Sequence, residues 1–272
     1  MNNLTKDLIK KASLVRRAVL QMAFKAQSAH TGGSLSCVEI LTTLYFSIMH
    51  VNQNDPEDPA RDRLVFSKAH DCKALYAVLA ERGFFPNKLL DTYEQDGGLP
   101  GHSTRKSVPG VEISAGSLGH GLPIACGLAY AAKQDGRTHR IFAVLSDGEC
   151  DEGSTWEGVL FAGHHHLDNL VVIVDYNKIQ SYGRTKDILD LEPFAVKWQA
   201  FGWQAKEVDG HNTDKLHRVL SKTPFVPGKP SVIFAHTVKG FGGVSRHIDQ
   251  VSSHYKPPLA EEYAELMKVE SL

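Results

Sequence analysis

Net charge is almost absent from this chain: 30 Lys and Arg against 31 Asp and Glu leave −1 over 272 residues. Acids and bases are interspersed, so no basic face for nucleic acid and no polybasic tract for a membrane surface stands out. No apolar run approaches the ~18 residues that a membrane-spanning helix needs. The amino-terminal MNNLTKDLIKKASLVRRAVL is too regularly charged for a signal peptide and reads as an amphipathic helix. Cysteine is scarce. Cys37, Cys72, Cys126 and Cys150 lack CxxC spacing and fall inside predicted elements, which points to buried, reduced thiols and a cytoplasmic location. Internal repeats, low-complexity segments and linkers are missing too. What remains is 42% hydrophobic and 22% charged, a globular composition with length for one large α/β domain or two small ones. The conspicuous excess is histidine, at fourteen.

Apolar runs alternate with helical spacing along the whole chain. Leu8, Ile9, Ala12, Val15, Val19, Met22 and Ala23 mark a helix over residues 5–27, and Ala29 to Ser34 breaks it. Ser36 followed by Glu39 is a capping-box signature that predicts a helix running to about His50. A strand is predicted from Arg63 to Ser67, then a helix from Ala74 to Arg82 closed by Gly83. Residues 84–115 are rich in Gly, Pro and turn formers, and connections of that length are commonly functional. After a helix over Pro123–Gln134, two apolar runs, Arg140 to Leu145 and Leu170 to Val174, flank a helix-length segment, Ser154 to His166. Further helices are predicted over Leu191–Phe201, Asp214–Ser221 and Leu259–Val269, with strands over Trp203–Val208 and Ser231–Ala235. Strands alternating with helices give an α/β class with a mainly parallel sheet.

The stretch from Leu145 to Gly183 carries the chemistry. Its two strands, joined by a crossover, place Ser146-Asp147-Gly148 and Asp175-Tyr176-Asn177-Lys178 at the same sheet edge, where open α/β sheets bind ligands. Asp147 supplies an anionic oxygen and Asn177 a neutral one, the ligation that hard divalent cations prefer. Gly148 lets backbone approach a phosphate closely, and the following helix would aim its positive end at the same anion. Alone, an Asp-Gly pair after a strand is a common turn. The paired strand ends and the closing Asn-Lys favour a magnesium-bridged diphosphate site.

The stretch resembles the thiamine diphosphate motif, which opens Gly-Asp-Gly and closes with an asparagine, here thirty positions after Asp147. More narrowly, the chain resembles the amino-terminal, diphosphate-binding half of transketolase. The markers AHTGG, RDRLVFSKAH, LPGHS, GSLGHG, SDGECDEG, DYNKIQ, AFGW and HTVKGFG occur in order from the first helix to about His254. The resemblance implies a single thiamine-diphosphate-binding fold over residues 1–272, a parallel sheet flanked by helices with a C-terminal helix. It also implies that Asp147 and Asn177 bind Mg²⁺ (or Ca²⁺ or Mn²⁺) through their side chains and Ile179 through its carbonyl. Gly148, Asn177, His70 and His254 would contact the diphosphate, with Gly116, Ser117 and Leu118 against the cofactor. His30, His102 and His254 would line a sugar channel and carry protons. Glu152 would sit at a subunit interface. Ser146 replaces the motif's first glycine, and Ser181 and Tyr182 stand where the family often has an apolar residue and an aspartate. Tyr255 follows His254 where glycine is usual, which keeps His247 open as the alternative.

Histidines beside turn segments that follow predicted elements, as His30, His70 and His102 are, fit binding loops on a rigid scaffold. The run His164-His165-His166 does not suit a metal, because consecutive helical side chains diverge by about 100°. The implied activity is transfer of a two-carbon ketol unit between sugars or sugar phosphates. The family's catalytic glutamate lies in a pyrimidine-binding domain that this sequence lacks, so that half is expected on a separate chain, in an α₂β₂ assembly. Other expectations compatible with the sequence are a subunit of a 2-oxo-acid dehydrogenase or deoxyxylulose-phosphate synthase, or a partner-binding subunit without catalysis. The glycine-flanked His30, His70 and His102 favour sugars.

Overall fold

In the computed structural model, which describes residues 2–269, five strands form one all-parallel sheet. They are β1 (Arg63–Phe66), β2 (Ile141–Ser146), β3 (Leu170–Tyr176), β4 (Gln204–Asp209) and β5 (Ser231–His236), in the order β1-β2-β3-β5-β4. The helices are α1 (Asn3–Ala26), α2 (Thr31–Ser36), α3 (Val38–Thr43), α4 (Cys72–Arg82), α5 (Gly121–Gln134), α6 (Gly153–His164), α7 (Thr185–Ile188), α8 (Phe194–Ala200), α9 (Thr213–Leu220), α10 (Ser252–Tyr255) and α11 (Ala260–Leu266).

Both faces of the sheet are covered, which is why the central strands read as continuous apolar runs. Period-two alternation sends Phe142, Val144, Val171, Ile173 and Ile233 into a core with α1, α3, α4 and α9. The intervening Ile141, Ala143, Leu145, Val172, Val174 and Phe234 pack against α5, α6 and α8. All four cysteines are buried free thiols. The Phe24 and Tyr263 rings stack at 4.3 Å and fasten α11 to α1. Among the described residues, no helix is long and apolar enough to cross a membrane.

Four expectations need correction. The Ser36–Glu39 capping box does not form, and the helical path begins earlier, at Thr31, after His30 turns the chain with φ 62°. The Ser36 hydroxyl instead donates to Asp175 at 2.6 Å, while Glu39 pairs with Arg16 and His211. Buried charged partners from distant segments outcompete the local cap. The predicted long helix is also broken at Cys37 and ends in a π-helical turn, Leu44–Ile48. Finally, α8 starts only after Pro193, and β3 runs on to Tyr176, which makes Asp175 a fully buried strand residue.

Candidate functional site

Parallel register sets the geometry. Ser146 of β2 lies opposite Asp175 of β3, and Tyr176 lies opposite His236 of β5. The chain segments leaving β1, β2, β3 and β5 therefore emerge together at one edge. There they enclose a cavity of about 250 Å³, lined by His30, His70, Gly116, Leu118, Asp147, Gly148, Asn177, Ile179 and His254 of the predicted residues. Ser117, His102 and Glu152 are exposed and do not line it. His102 stands at the rim, its ring 6.0 Å from that of His30. Glu152 precedes α6, whose start at Gly153 is separated from β2 by a 3-10 turn, Gly148–Asp151. The helix therefore does not begin at Gly148.

Asp147 is 1% exposed. Its carboxylate accepts from the backbone of Gly148 (2.9 Å) and Lys178 (2.5 Å) and from the Thr185 hydroxyl (3.2 Å). Burial, with Asp175 close by, pushes its carboxyl up to about 6. The Asn177 amide nitrogen lies 3.5 Å from Asp175, and its oxygen accepts from the Ile179 amide at 3.1 Å. The site thus offers a carboxylate, an amide and, at Ile179, a backbone carbonyl, all oxygen donors as hard cations require. Two glycines keep the cradle open. A Cβ on Gly33 would collide with the Asp71 carboxylate, and one on Gly148 would stand 2.8 Å from Gln180. The residues present fit a divalent cation and a diphosphate.

Beneath the cavity lies a charge network that sequence reasoning missed. Lys68 is fully buried and pairs with Asp175, with Asp71 (3.1 Å) and with the Gly33 carbonyl (3.2 Å). Burial would depress this lysine, but the two carboxylates outweigh it and hold the ammonium well above its usual range. Likewise Asp71, although buried, is held well below the usual carboxylate range by His70 and Lys68. Thr237 also donates to Asp175. Lys239, 4% exposed, lies in the segment that leaves β5, donates to the Ile179 carbonyl at 2.8 Å and stands 3.5 Å from His254 Nδ1. Both lysines line the cavity. Their only sequence signal was position inside the SKAH and HTVKGFG markers.

The histidines form the upper wall. The His30 ring is 4.7 Å from His254 and 5.3 Å from His70, and the His30 amide donates to the His254 carbonyl at 2.6 Å. His247 lies elsewhere, buried and bonded to Ser252, so the cavity contains His254 of the two alternatives. Burial lowers His30 to about 4 and His254 to about 3, which leaves both neutral at pH 7. A histidine held neutral in the fold takes up a proton more readily when unfolded. Stability is therefore expected to fall as pH drops from the unfolded value of 6.5 towards 4. Thermal melts at pH 7 and pH 5 check this: a His30→Asn/His254→Asn variant should lose less over that window than the parent, and an equal loss would contradict it.

The run His164-His165-His166 straddles the end of α6, with only His164 inside the helix, and the His164 and His165 rings stand 4.8 Å apart. The His165 ring packs 4.2 Å from Phe161, whereas His166 Nδ1 meets the Gly228 carbonyl at 3.1 Å. Tyr182, one of the departures from the motif, is 84% exposed, whereas Ser146 and Ser181 line the cavity.

A family model described as "Transketolase, thiamine diphosphate binding domain" matches residues 9–270. The chain is 44% identical over 237 residues to the 6-deoxy-6-sulfo-D-fructose transketolase subunit SqwG of Clostridium sp. (strain MSTE9), covering 87% of this chain and 86% of that protein. It is 43% identical over 261 residues to an apulose-4-phosphate transketolase subunit of Actinobacillus succinogenes, covering 94% and 93%. Among solved structures, the transketolase from Leishmania mexicana superposes with a TM-score of 0.90 at 30% identity. The match covers 95% of this chain but 40% of that longer one.

Proposed function

Because the chain belongs to the transketolase family, matching its thiamine diphosphate binding domain, we propose that it is the cofactor-anchoring subunit of a two-chain transketolase. The reaction would move a two-carbon ketol unit from a ketose or ketose phosphate to an aldose or aldose phosphate. The observation that carries this reading is the presence of Asp147, Asn177 and Ile179 together in the lining of one cavity with Gly33, Gly116 and Gly148.

In this proposal the Asp147 and Asn177 side chains and the Ile179 carbonyl hold Mg²⁺, with Ca²⁺ or Mn²⁺ as substitutes. Gly148, Asn177, His70 and His254 hold the diphosphate, and Gly116, Ser117 and Leu118 lie along the cofactor. Thiamine diphosphate would supply a thiazolium ring as electron sink, with the ring carbon C2, once it has lost its proton, as the nucleophile. His30 and His254, neutral in their buried setting, accept hydrogen bonds and protons from sugar hydroxyls, and His102 works at the rim. Asp71 fixes His70 by a 3.1 Å contact to Nε2.

Two relatives named as transketolase subunits have nearly the same length as this chain, which supports a separate partner. That partner would bring the pyrimidine-binding domain and its glutamate, in an α₂β₂ assembly. Ile124 on α5 and Leu160 and Phe161 on α6 are 40%, 56% and 39% exposed, large apolar side chains open to a partner, and Glu152 immediately precedes α6. The chain supplied with thiamine diphosphate and Mg²⁺ is expected to be inactive with a ketose donor and an aldose acceptor. Ketol transfer should appear on adding a chain that carries the pyrimidine-binding domain, with no decarboxylation of pyruvate. Turnover by this chain alone would contradict the two-chain reading.

A further inference from the structure

Lys73 is a fully buried charge that does not line the cavity. It stands on the first turn of α4. Its ammonium donates to the Ala29 carbonyl at 2.6 Å and lies 3.4 Å from both the Ser28 and the Tyr93 hydroxyls. All three partners are neutral. A charge is costly to bury on those terms, and burial pushes this ammonium down from its ordinary value. An apolar side chain of similar length would fill the same space without that cost.

The bond to Ala29 gives the charge a use. The Ala29 carbonyl and the His30 amide belong to one planar peptide group. Lys73 holds its oxygen, and its N–H donates to the His254 carbonyl at 2.6 Å. One rigid unit, gripped at both ends, thus ties the backbone of His30 to that of His254. A cation on the oxygen also polarises the N–H and strengthens its bond to His254. His30 needs such support, because its φ of 62° is a left-handed conformation that persists only where the surroundings enforce it. On the other side, the Tyr93 hydroxyl donates at 3.5 Å to the Gly101 carbonyl, which belongs to the peptide that leads into His102. We propose that Lys73 is a positioning residue: by gripping the Ala29–His30 peptide it holds the His30 and His254 rings at the spacing at which they meet a sugar. This inference rests on the reading of those two histidines as the wall of a sugar channel.

The test compares the full chain with its Lys73→Met variant, whose side chain has neither charge nor donor. Residue-resolved amide exchange should show the His30 N–H exchanging roughly tenfold faster in the variant, the scale of one charged hydrogen bond. Amides of the sheet core, such as that of Val172, should keep their parental rates. With the pyrimidine-domain chain added and thiamine diphosphate saturating, KM for the ketose donor should rise by a similar factor. Lys73→Gln keeps a neutral donor for the Ala29 carbonyl and should fall between the two in both measurements. It also replaces Lys73→Met if circular dichroism shows that variant unfolded. A parental His30 exchange rate in the folded variant would overturn the proposal. So would a fall in kcat with KM unchanged, the mark of a residue that only supports the fold. Absence of ketol transfer by the parent with its partner would instead defeat the channel reading, and the exchange rates would still decide whether Lys73 holds the peptide.

Discussion

Asp147→Ala is expected to weaken magnesium-dependent binding of thiamine diphosphate by at least about a hundredfold while leaving the fold intact. Residues that only orient a metal ligand are worth about 10–100-fold in affinity, and Asp147 is the one anionic donor among the three proposed. Its loss leaves an amide and a carbonyl, which bind Mg²⁺ feebly without a carboxylate. The fold should tolerate the change for a specific reason. Burial already disfavours this carboxylate, as its upward shift to about 6 records. Removing it takes away acceptors from Gly148, Lys178 and Thr185 but leaves no ion stranded. A stability change of about 1–3 kcal/mol is expected from those orphaned donors. Calorimetry of cofactor binding, alongside circular dichroism, reads both quantities. Unchanged cofactor affinity in the folded variant would refute the metal assignment.

Lys68→Met should act in the opposite way, on the fold first. It strands Asp175 and Asp71, both of 1% exposure or less, without the ammonium they share. Breaking a buried pair from one side costs about 3–5 kcal/mol, a large part of the ~5–15 kcal/mol that holds a typical domain. The sign of the pH dependence follows from the same charges. In the parent, Asp71 sits below its unfolded value, so its contribution is present at neutral pH and is lost only as acid titrates the folded carboxyl. In Lys68→Met the stranded Asp71 carboxylate gains a proton more easily, so the loss of stability should be smaller at pH 5 than at pH 8. Urea unfolding at the two pH values measures this, and an equal loss at both would contradict the assigned network.

The contrast between these residues explains what could be read from sequence. Asp147 and Asn177 were visible because strand ends are local features, and parallel pairing brings neighbouring ends to one edge. The register of Ser146 with Asp175 places them as that reasoning required. Lys68, Asp71 and Lys239 carried no such pattern. Lysine and aspartate in a loop read as surface, and their burial depends on partners up to 107 positions away, as for Lys68 with Asp175. The same blindness produced the false capping box, since nothing near Ser36 announces that its hydroxyl is claimed by β3. Ser117, His102 and Glu152 came from the resemblance, and the fold leaves them exposed, at the rim or outside the cavity. Ser117 and His102 lie in the loop-rich segments between β1 and α5, and Glu152 lies just ahead of α6.

The central claim is that this chain anchors thiamine diphosphate through a divalent cation at the β2–β3 edge. Titration calorimetry of thiamine diphosphate into the full chain, alone and with a pyrimidine-domain chain, in Mg²⁺ and again in excess chelator, tests it most directly. The account predicts saturable binding in Mg²⁺ that disappears in chelator. Binding of equal strength in chelator, or none under any condition in Mg²⁺, would contradict it.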